Sequence, residues 1–333
     1  MEKERKKTLA LSAVSVVIIA TVLVAILVLT HKKGSESSYV VEREANTPFS
    51  ESVYNYLVLG KDRVSGLTDV MMVVSLDSAE LTASVIQIPR DTYARYTDSG
   101  YRKINGALSA LGAEGLCDFI EENIGVAIDG YFIFELDTFS KAIDAIGGVE
   151  IDIPFDMEYH DEYQNFDISL KKGRQTLDGR ESENFVRYRS GYLRGDIDRM
   201  DAQKLFMSAL ISALKEKMSP TSVIKLAGTL IGEVGTNVKL SEIAELASLG
   251  FEISEKDITM VTLAGEDVRS SESGAWFYVL SKPSCQKLIS ECVGERGISS
   301  EFDPNGVFLN PSNEDFDRIY SSEADYSFRN CQN

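Results

Sequence analysis

Histidine and cysteine are scarce in this chain. Its 333 residues include only two histidines, His31 and His160, and four cysteines, none of which form a Cys-x-x-Cys pair. Because zinc sites in proteins are built mainly from thiolate and imidazole ligands, a zinc centre is close to excluded. A Ser-His-Asp triad would depend on His160 alone, which argues against that type of nucleophilic catalysis.

The few cysteines leave their redox state open. Cys285 and Cys292 are compatible either with a disulfide outside the cell or with two free thiols. If both lie on one helix, their Cα atoms are roughly 10 Å apart, which is too far for a disulfide.

Positive charge is lacking overall. The chain has 34 Lys and Arg against 52 Asp and Glu, a formal net charge of −18, and this balance argues against a nucleic-acid partner. The segment 171–199 is an exception, with eight basic residues against five acidic ones. Arginine matches the geometry of phosphate, and clustered guanidinium groups repel one another unless an anion lies between them. We therefore expect a phosphate or pyrophosphate site in this acidic chain.

Long apolar runs are absent with one exception. Residues 8–30 form an uncharged run of 23 residues, enough to cross a hydrocarbon core of roughly 30 Å. A cleaved signal peptide has a shorter apolar region of about 7–15 residues and a small-residue cleavage site, so we favour an uncleaved anchor. Basic residues before the run favour an N-terminus inside the cell. The predicted organisation is a cytoplasmic tail (1–7), a single transmembrane helix (8–30), a linker (31–50), an extracytoplasmic domain (51–310) and an acidic tail (311–333).

Segments of strand and helix character alternate along the domain. This alternation favours an α/β sheet that is covered by helices on both faces. The predicted strands are Tyr54–Leu59, Val70–Leu76, Ser84–Ile88, Tyr131–Leu136, Val149–Ile153, Ile258–Leu263 and Trp276–Leu280. The predicted helices are Ile104–Leu111, Leu116–Ile124, Asp137–Ile146, Met200–Met218, Val223–Leu230 and Leu240–Leu249.

Seven short motifs follow one another in the order found in a known family. They are Gly60-Lys-Asp62, Thr68-Asp69-Val-Met-Met72, Gln87-Ile-Pro-Arg-Asp-Thr92, Lys103-Ile-Asn105, Gly147-Gly-Val149, Leu177-Asp-Gly-Arg180, and Arg187-Tyr-Arg189 with Asp196, Arg199 and Gln203. Together, over residues 52–216, they resemble the LytR-CpsA-Psr (LCP) family of cell-wall glycopolymer transferases. The resemblance implies an α/β/α fold in a Gram-positive type of envelope. It also implies Mg²⁺-assisted transfer of a glycopolymer from a polyprenyl-pyrophosphate lipid to peptidoglycan.

The resemblance also implies roles for individual residues. Asp62 and Asp69 match the positions where the family binds the metal ion. Asp196 would orient the arginines, and Asp91 and Asp196 are the candidates for a general base. The residues that would clamp the pyrophosphate are Arg90, Lys103, Arg187, Arg189, Arg199 and Gln203.

Near the first strands, the sequence allows two interpretations of the aspartates and two of Arg90. A short loop can bring Asp62 and Asp69 together as magnesium ligands, or both are ordinary turn residues. Arg90 follows a proline that ends a strand, so it either reaches a ligand at the rim of the sheet or pairs with the neighbouring Asp91. Lys103 begins a predicted helix, where a cation is unfavourable unless an anion is near.

The later cations depend on local backbone geometry. Arg187 and Arg189 point the same way only in an extended segment, since residues two apart on a helix face different sides. Arg199 and Gln203 are four residues apart on a predicted helix and therefore share a face, as an ordinary surface pair also would.

One position departs from the family pattern. Leu67 stands where the family usually has an arginine, two residues before Asp69. We expect Arg63, in the same loop, to substitute for it, with Arg102 as the second candidate. A further set of apolar residues either lines a lipid-tail pocket or forms ordinary core: Met71, Met72, Val73, Ile143, Ile146, Phe206, Met207 and Leu210.

Two other functions are compatible with these residues. One is a non-catalytic, membrane-anchored binding or regulatory module for lipid-linked wall precursors. The other is a phosphatase that hydrolyses polyprenyl pyrophosphate, with water in place of peptidoglycan as acceptor. The sequence separates neither these acceptors nor the possible glycopolymers.

Overall fold

The computed structural model describes residues 53–61, 66–97, 102–161, 166–193, 196–271, 273–294, 297–298 and 329–330. The strands are β1 (Val53–Lys61), β2 (Thr68–Asp77), β3 (Thr82–Ile88), β4 (Tyr93–Ala94), β5 (Arg102–Lys103), β6 (Gly130–Phe134), β7 (Val149–Ile153), β8 (Met157–Asp161), β9 (Phe166–Leu170), β10 (Gly173–Leu177), β11 (Gly235–Thr236), β12 (Ile258–Thr262), β13 (Gly265–Arg269), β14 (Trp276–Leu280) and β15 (Arg329–Asn330). The α-helices are α1 (Ala107–Ile124), α2 (Leu136–Ile146), α3 (Gly179–Arg187), α4 (Asp196–Lys217), α5 (Pro220–Leu230), α6 (Leu240–Glu252) and α7 (Lys282–Val293).

A mixed seven-stranded sheet organises these elements in the order β11-β6-β1-β2-β3-β12-β15. The neighbours β1, β2 and β3 are antiparallel because only short connections join them. The pairs β1–β6 and β3–β12 are parallel, and a longer stretch of chain separates the two strands of each pair. The end of β1, the start of β2 and the end of β3 therefore lie at one edge of the sheet.

Helices cover both faces of this sheet. Val58 and Met72 belong to a core cluster that includes apolar residues of α2 to α6. Leu57 and Met71, one position earlier on the same strands, belong to a second cluster with α1 and α7. Since successive side chains of a strand point to opposite faces, the two clusters are the two sides of one sheet. The predicted α/β architecture with helices on both faces is confirmed.

The two helices predicted on either side of residue 112 are confirmed as two helical segments. The element α1 (Ala107–Ile124) is interrupted at Gly112, which has φ +74° and ψ −179°, and residues 104–106 form a 3₁₀ turn before it. Glycine reaches this conformation without the clash of a Cβ atom. The sequence also gave no indication of the β8–β9 hairpin, whose strands mix charged, aromatic and aliphatic residues.

The two cysteines that were considered for a disulfide both lie on α7. Cys285 and Cys292 are free thiols, as their spacing on one helix requires. Burial raises the pKa of each thiol to about 12. In the described part of the chain no helix is both long and apolar enough to cross a membrane. The predicted anchor at 8–30, the tail before it and the linker after it lie outside the described residues.

Candidate active site

A buried ion pair lies at the sheet edge formed by the first three strands. Arg90 Nη1 donates to Asp69 Oδ1 at 3.1 Å, and the two side chains are 6% and 1% exposed. Arg90 therefore pairs with a residue of the adjacent strand and not with its sequence neighbour Asp91. Burying two charges is costly unless they pair, so each of these groups needs the other in the folded protein.

Asp69 sits in an irregularity of its strand. Gly60 pairs with Val70 and Lys61 pairs with Thr68, which leaves Asp69 as an extra residue on β2. Such a β-bulge interrupts the strict alternation of side chains and redirects them, and bulges are frequent beside active sites. Asp69 was expected just before the second strand; it is the second residue within that strand.

The loop that carries Arg90 is fixed by its own backbone. The carbonyl oxygens of Pro89, Arg90, Asp91 and Thr92 each accept a backbone hydrogen bond, from the N–H groups of Thr92, Asn105, Tyr278 and Ile104 respectively. The hydroxyl of Thr92 also donates to the carbonyl of Pro89. One of these donors, Tyr278, lies on the β13–β14 hairpin, so residues far along the chain help to hold the loop. A loop held in this way presents the Arg90 and Asp91 side chains with little freedom.

Asp91 makes the second ion pair of this loop. Its Oδ1 lies 2.8 Å from Lys103 Nζ, and both side chains are about one-third exposed. Lys103 lies on β5, opposite Tyr93 of β4, and precedes a 3₁₀ turn that leads into α1. The anion that the position of Lys103 requires is therefore supplied, at least in part, by Asp91.

Arg187 is the last residue of α3 and is also nearly buried. Its Nη1 donates to Glu183 Oε1 at 2.6 Å, one helical turn earlier, with side-chain exposures of 7% and 20%. The other carboxylate oxygen of Glu183 accepts from the hydroxyl of Ser140 on α2 at 3.3 Å. Glu183 thus connects Arg187 to the neighbouring helix.

The segment after Arg187 leaves the helical conformation at once. Tyr188 has φ −58° and ψ +134°, and its side chain packs in the core. The chain therefore leaves the helix between Arg187 and Arg189, so these two arginines do not stand two apart on one helix. Arg189 is half-buried.

An aromatic cluster supports this segment. The rings of Phe155, Tyr188 and Tyr192 lie with centroids 5.5 to 6.0 Å apart. Gly191 completes the packing, because a Cβ atom there would lie 2.6 Å from the hydroxyl of Tyr188. Burial raises the pKa of Tyr192, and nearby Tyr188 and Asp198 act in the same direction.

Arg199 and Gln203 lie on α4 and are both buried. Gln203 Nε2 donates to the carbonyl of Val186 at 3.5 Å, immediately before Arg187. The two residues share a face as predicted, and Gln203 attaches that face to the end of α3.

These residues form two groups around one core. Val70, next to Asp69, and Val186, next to Arg187, belong to the same cluster. Asp62, Arg63 and the side chain of Asp196 lie outside the described residues, so their predicted roles stay predictions. Arg102, the second candidate to replace an arginine at position 67, is exposed on β5.

The set of apolar residues considered for a lipid pocket is divided by the sheet. Met71 and Val73 pack with α1 and α7, whereas Met72 packs on the opposite face with the helical residues of the set. All of them are buried. As a complete set they cannot line one pocket, and the described structure assigns them to the core.

For two residues at this site, Glu183 and Thr68, no role was predicted from the sequence. Glu183 could have been identified from its four-residue spacing to Arg187 on a helix, which is the distance of an intrahelical ion pair. Thr68 stands in the second motif, next to Asp69, but the motif assigns it no role. It is fully buried, and its hydroxyl oxygen has no hydrogen-bond partner among the described residues.

The donor atoms at the edge suit a hard cation. Asp69 offers carboxylate oxygen, the ligand type that Mg²⁺ takes from proteins, usually together with substrate phosphates. Within the described residues no three His, Cys, Asp or Glu side chains cluster for a metal, so a site there depends on Asp62 or on the substrate as well.

Comparison with known proteins decides the family. The LytR_cpsA_psr family model matches residues 24–292. The chain belongs to the LytR-CpsA-Psr family. The match extends beyond the 52–216 stretch that carries the motifs and includes β12, β14 and most of α7.

Individual relatives agree with this assignment. The polyisoprenyl-teichoic acid–peptidoglycan teichoic acid transferase TagV of Bacillus subtilis (strain 168) is 29% identical over 227 residues, which cover 67% of this chain and 58% of TagV. The regulatory protein MsrR of Staphylococcus aureus (strain COL) is 31% identical over 249 residues, 72% of this chain and 74% of MsrR. The crystal structure of B. subtilis TagV matches with a TM-score of 0.63 and 26% identity, over 73% of this chain and 98% of that one.

Proposed function

We propose that this protein transfers a glycopolymer from a polyprenyl-pyrophosphate carrier onto peptidoglycan through a phosphodiester link. The observation that carries the proposal is the Asp69–Arg90 pair, buried at a sheet edge in a rigid loop, in a family whose member TagV is named a teichoic acid transferase. A fixed guanidinium matches a pyrophosphate and needs no reorganisation when charge develops.

The reaction is a phosphoryl transfer. A sugar hydroxyl of peptidoglycan attacks the polymer-side phosphorus, the bond from this phosphorus to the bridging oxygen breaks, and polyprenyl phosphate leaves. The protein mainly positions the reactants and neutralises charge. Arg90, Lys103, Arg187, Arg189 and Arg199 supply that charge. The family resemblance supports this assignment.

The proton of the attacking hydroxyl needs an acceptor. Asp91 is a candidate because its carboxylate is one-third exposed and lies beside Lys103. Asp196 is the second candidate. If Asp91 is the base, its carboxylate accepts the proton, and the ion pair with Lys103 holds that carboxylate in place.

We include magnesium in the proposal, with Asp69 and Asp62 as its protein ligands. The ion would neutralise part of the pyrophosphate charge and polarise its oxygens. The carboxylate oxygens of Asp69 support it, because oxygen is the ligand type that Mg²⁺ takes from proteins.

We further propose that residues 8–30 anchor the protein in the cell membrane and that the domain faces the cell wall. The uncharged run of 23 residues supports the anchor. A substrate on a polyprenyl lipid and an acceptor in the wall are both reached from that position.

A regulatory role is the second candidate, because MsrR is named a regulatory protein. A module that only binds lipid-linked precursors would need the cations but no turnover. A phosphatase would use the same residues with water as acceptor.

One experiment separates these three. The full chain in detergent is incubated with Mg²⁺, a lipid-linked glycopolymer and peptidoglycan, and the products are identified by mass spectrometry. We expect polymer joined to peptidoglycan by a phosphodiester. Polymer phosphate released into solution indicates hydrolysis, and tight binding without product indicates a regulatory module; either result contradicts the transferase.

A further inference from the structure

A buried hydroxyl at the candidate site has no hydrogen-bond partner among the described residues. It belongs to Thr68, which is 0% exposed and whose Oγ1 makes no hydrogen bond in that part of the chain. Buried polar groups are almost always paired, because burying one without a partner costs free energy. A valine would fill the same space without that cost. The threonine therefore needs an explanation other than stability of the free protein.

The position of Thr68 supplies that explanation. It pairs with Lys61 at the end of β1 and directly precedes Asp69 in the bulge. Because the bulge interrupts the alternation of side chains, Thr68 and Asp69 need not lie on opposite faces of the sheet. Thr68 is thus the direct chain neighbour of the buried Asp69, at the edge where the pyrophosphate is proposed to bind.

The chemistry of the ligand matches an unused donor. Phosphate oxygens only accept hydrogen bonds, and a hydroxyl has one proton to donate. Magnesium, in contrast, usually keeps several waters and takes carboxylates from the protein. We propose that Thr68 Oγ1 donates a hydrogen bond to a pyrophosphate oxygen of the substrate and so contributes to substrate binding.

This inference rests on the proposed function, and it shares one requirement with Asp69 and Arg90. All three are buried in the free protein, so the ligand must gain access to all of them together. The Thr68 hydroxyl should therefore lower the stability of the free protein and raise its affinity for the substrate.

The test uses Thr68→Val, which keeps the shape and removes the hydroxyl. We expect the melting temperature of the ligand-free protein to stay the same or to rise by about 2–4 °C, because an unpaired buried group is lost. We expect the affinity for farnesyl pyrophosphate, measured by calorimetry without metal, to fall roughly tenfold, the loss of one hydrogen bond to a charged group. Thr68→Ser keeps a hydroxyl and should bind within about threefold of the original protein.

A matched control is Thr138→Val on α2. Thr138 is also buried, but its hydroxyl donates to Glu233 at 3.3 Å. This change should lower the melting temperature and leave binding unaffected. If Thr68→Val instead melts lower and binds normally, its hydroxyl is structural and the inference is wrong. A change confined to the Mg²⁺ dependence of binding overturns it too, because the hydroxyl is then a metal ligand. If the original protein binds no farnesyl pyrophosphate, the proposed function itself fails.

Discussion

The two groups of cations at the candidate site are held in different ways. The loop Pro89–Thr92 is fixed through its own backbone, since all four of its carbonyl groups accept backbone hydrogen bonds, three of them from residues outside the loop. The segment Arg187–Tyr192 is fixed mainly by side chains: Glu183 holds Arg187, and Phe155 packs against Tyr188 and Tyr192. A backbone-held loop tolerates substitution of neighbouring side chains. A side-chain-held segment depends on each of its supports, so the two groups should respond differently to mutation.

The largest effect is expected at the backbone-held loop itself. Arg90→Ala removes the proposed charge-assisted contact to the pyrophosphate and should lower kcat/KM roughly 30- to 900-fold, which corresponds to about 2–4 kcal/mol of transition-state stabilisation. It also leaves Asp69 buried without this partner, so we expect a loss of about 3–5 kcal/mol in the free energy of unfolding. Transfer assays and urea denaturation measure the two losses.

A double substitution separates the loss of activity from the loss of stability. Asp69→Asn combined with Arg90→Met removes both buried charges and should recover much of the stability while activity stays low. If Arg90→Ala unfolds as easily as predicted but transfers normally, the loop is structural and the clamp does not include Arg90.

A smaller effect is expected at the side-chain-held segment. Glu183→Ala frees Arg187 from its fixed direction and should lower kcat/KM roughly tenfold, since a misplaced charge loses part of its stabilising effect. In an Arg187→Lys background the same change should have less than about a twofold effect, because contacting residues are coupled. Equal losses in both backgrounds would mean that Glu183 acts on the fold and not through Arg187.

The exposed pair Arg174–Glu150 offers a control for that comparison. It joins β10 and β7 on the surface, where ion pairs contribute little to stability. Glu150→Ala should therefore leave both the transfer rate and the melting temperature close to their original values.

The smallest effect concerns the aromatic support. Because burial raises the pKa of Tyr192, the folded state holds the phenolic proton more tightly than the unfolded state does. Its contribution to stability is complete below the ordinary tyrosine pKa of about 10 and is lost as the pH rises toward the higher folded value. Tyr192→Phe should therefore reduce the loss of stability above pH 10, measured by urea denaturation between pH 8 and 11. An identical pH profile in both proteins would contradict burial of this hydroxyl.

Much of the fold could be predicted from the periodicity of apolar residues and from the residues that end strands and helices. The predicted strands Val149–Ile153 and Trp276–Leu280 agree with the structure at both ends, because glycine, proline or a helix-capping serine bounds them. The predicted helix end at Ile124 is also confirmed: the next residue, Gly125, has φ +81°, a conformation that favours glycine. The β8–β9 hairpin was missed because its short strands show no clean alternation of polar and apolar residues.

The site was predictable in its residue types but not in its pairings. The motifs identified Arg90 and Asp69, yet the sequence suggested the neighbouring Asp91 as the ion-pair partner of Arg90. The structure pairs Arg90 with Asp69, 21 positions away, because β2 and β3 are adjacent strands. Sequence distance carries no information about such a contact until strand order and register are known.

The sequence by itself determined the family, the α/β class, the local excess of arginine and the chemistry that arginine and aspartate can perform. These follow from residue types and local spacing, which are properties of the chain alone. Only the tertiary structure decided which charges are buried, which carboxylates Arg90 and Lys103 meet, and that the Thr68 hydroxyl has no hydrogen-bond partner within the described part of the chain. Burial and pairing depend on segments that are distant in sequence, and they set the free-energy cost of each charge and each polar group.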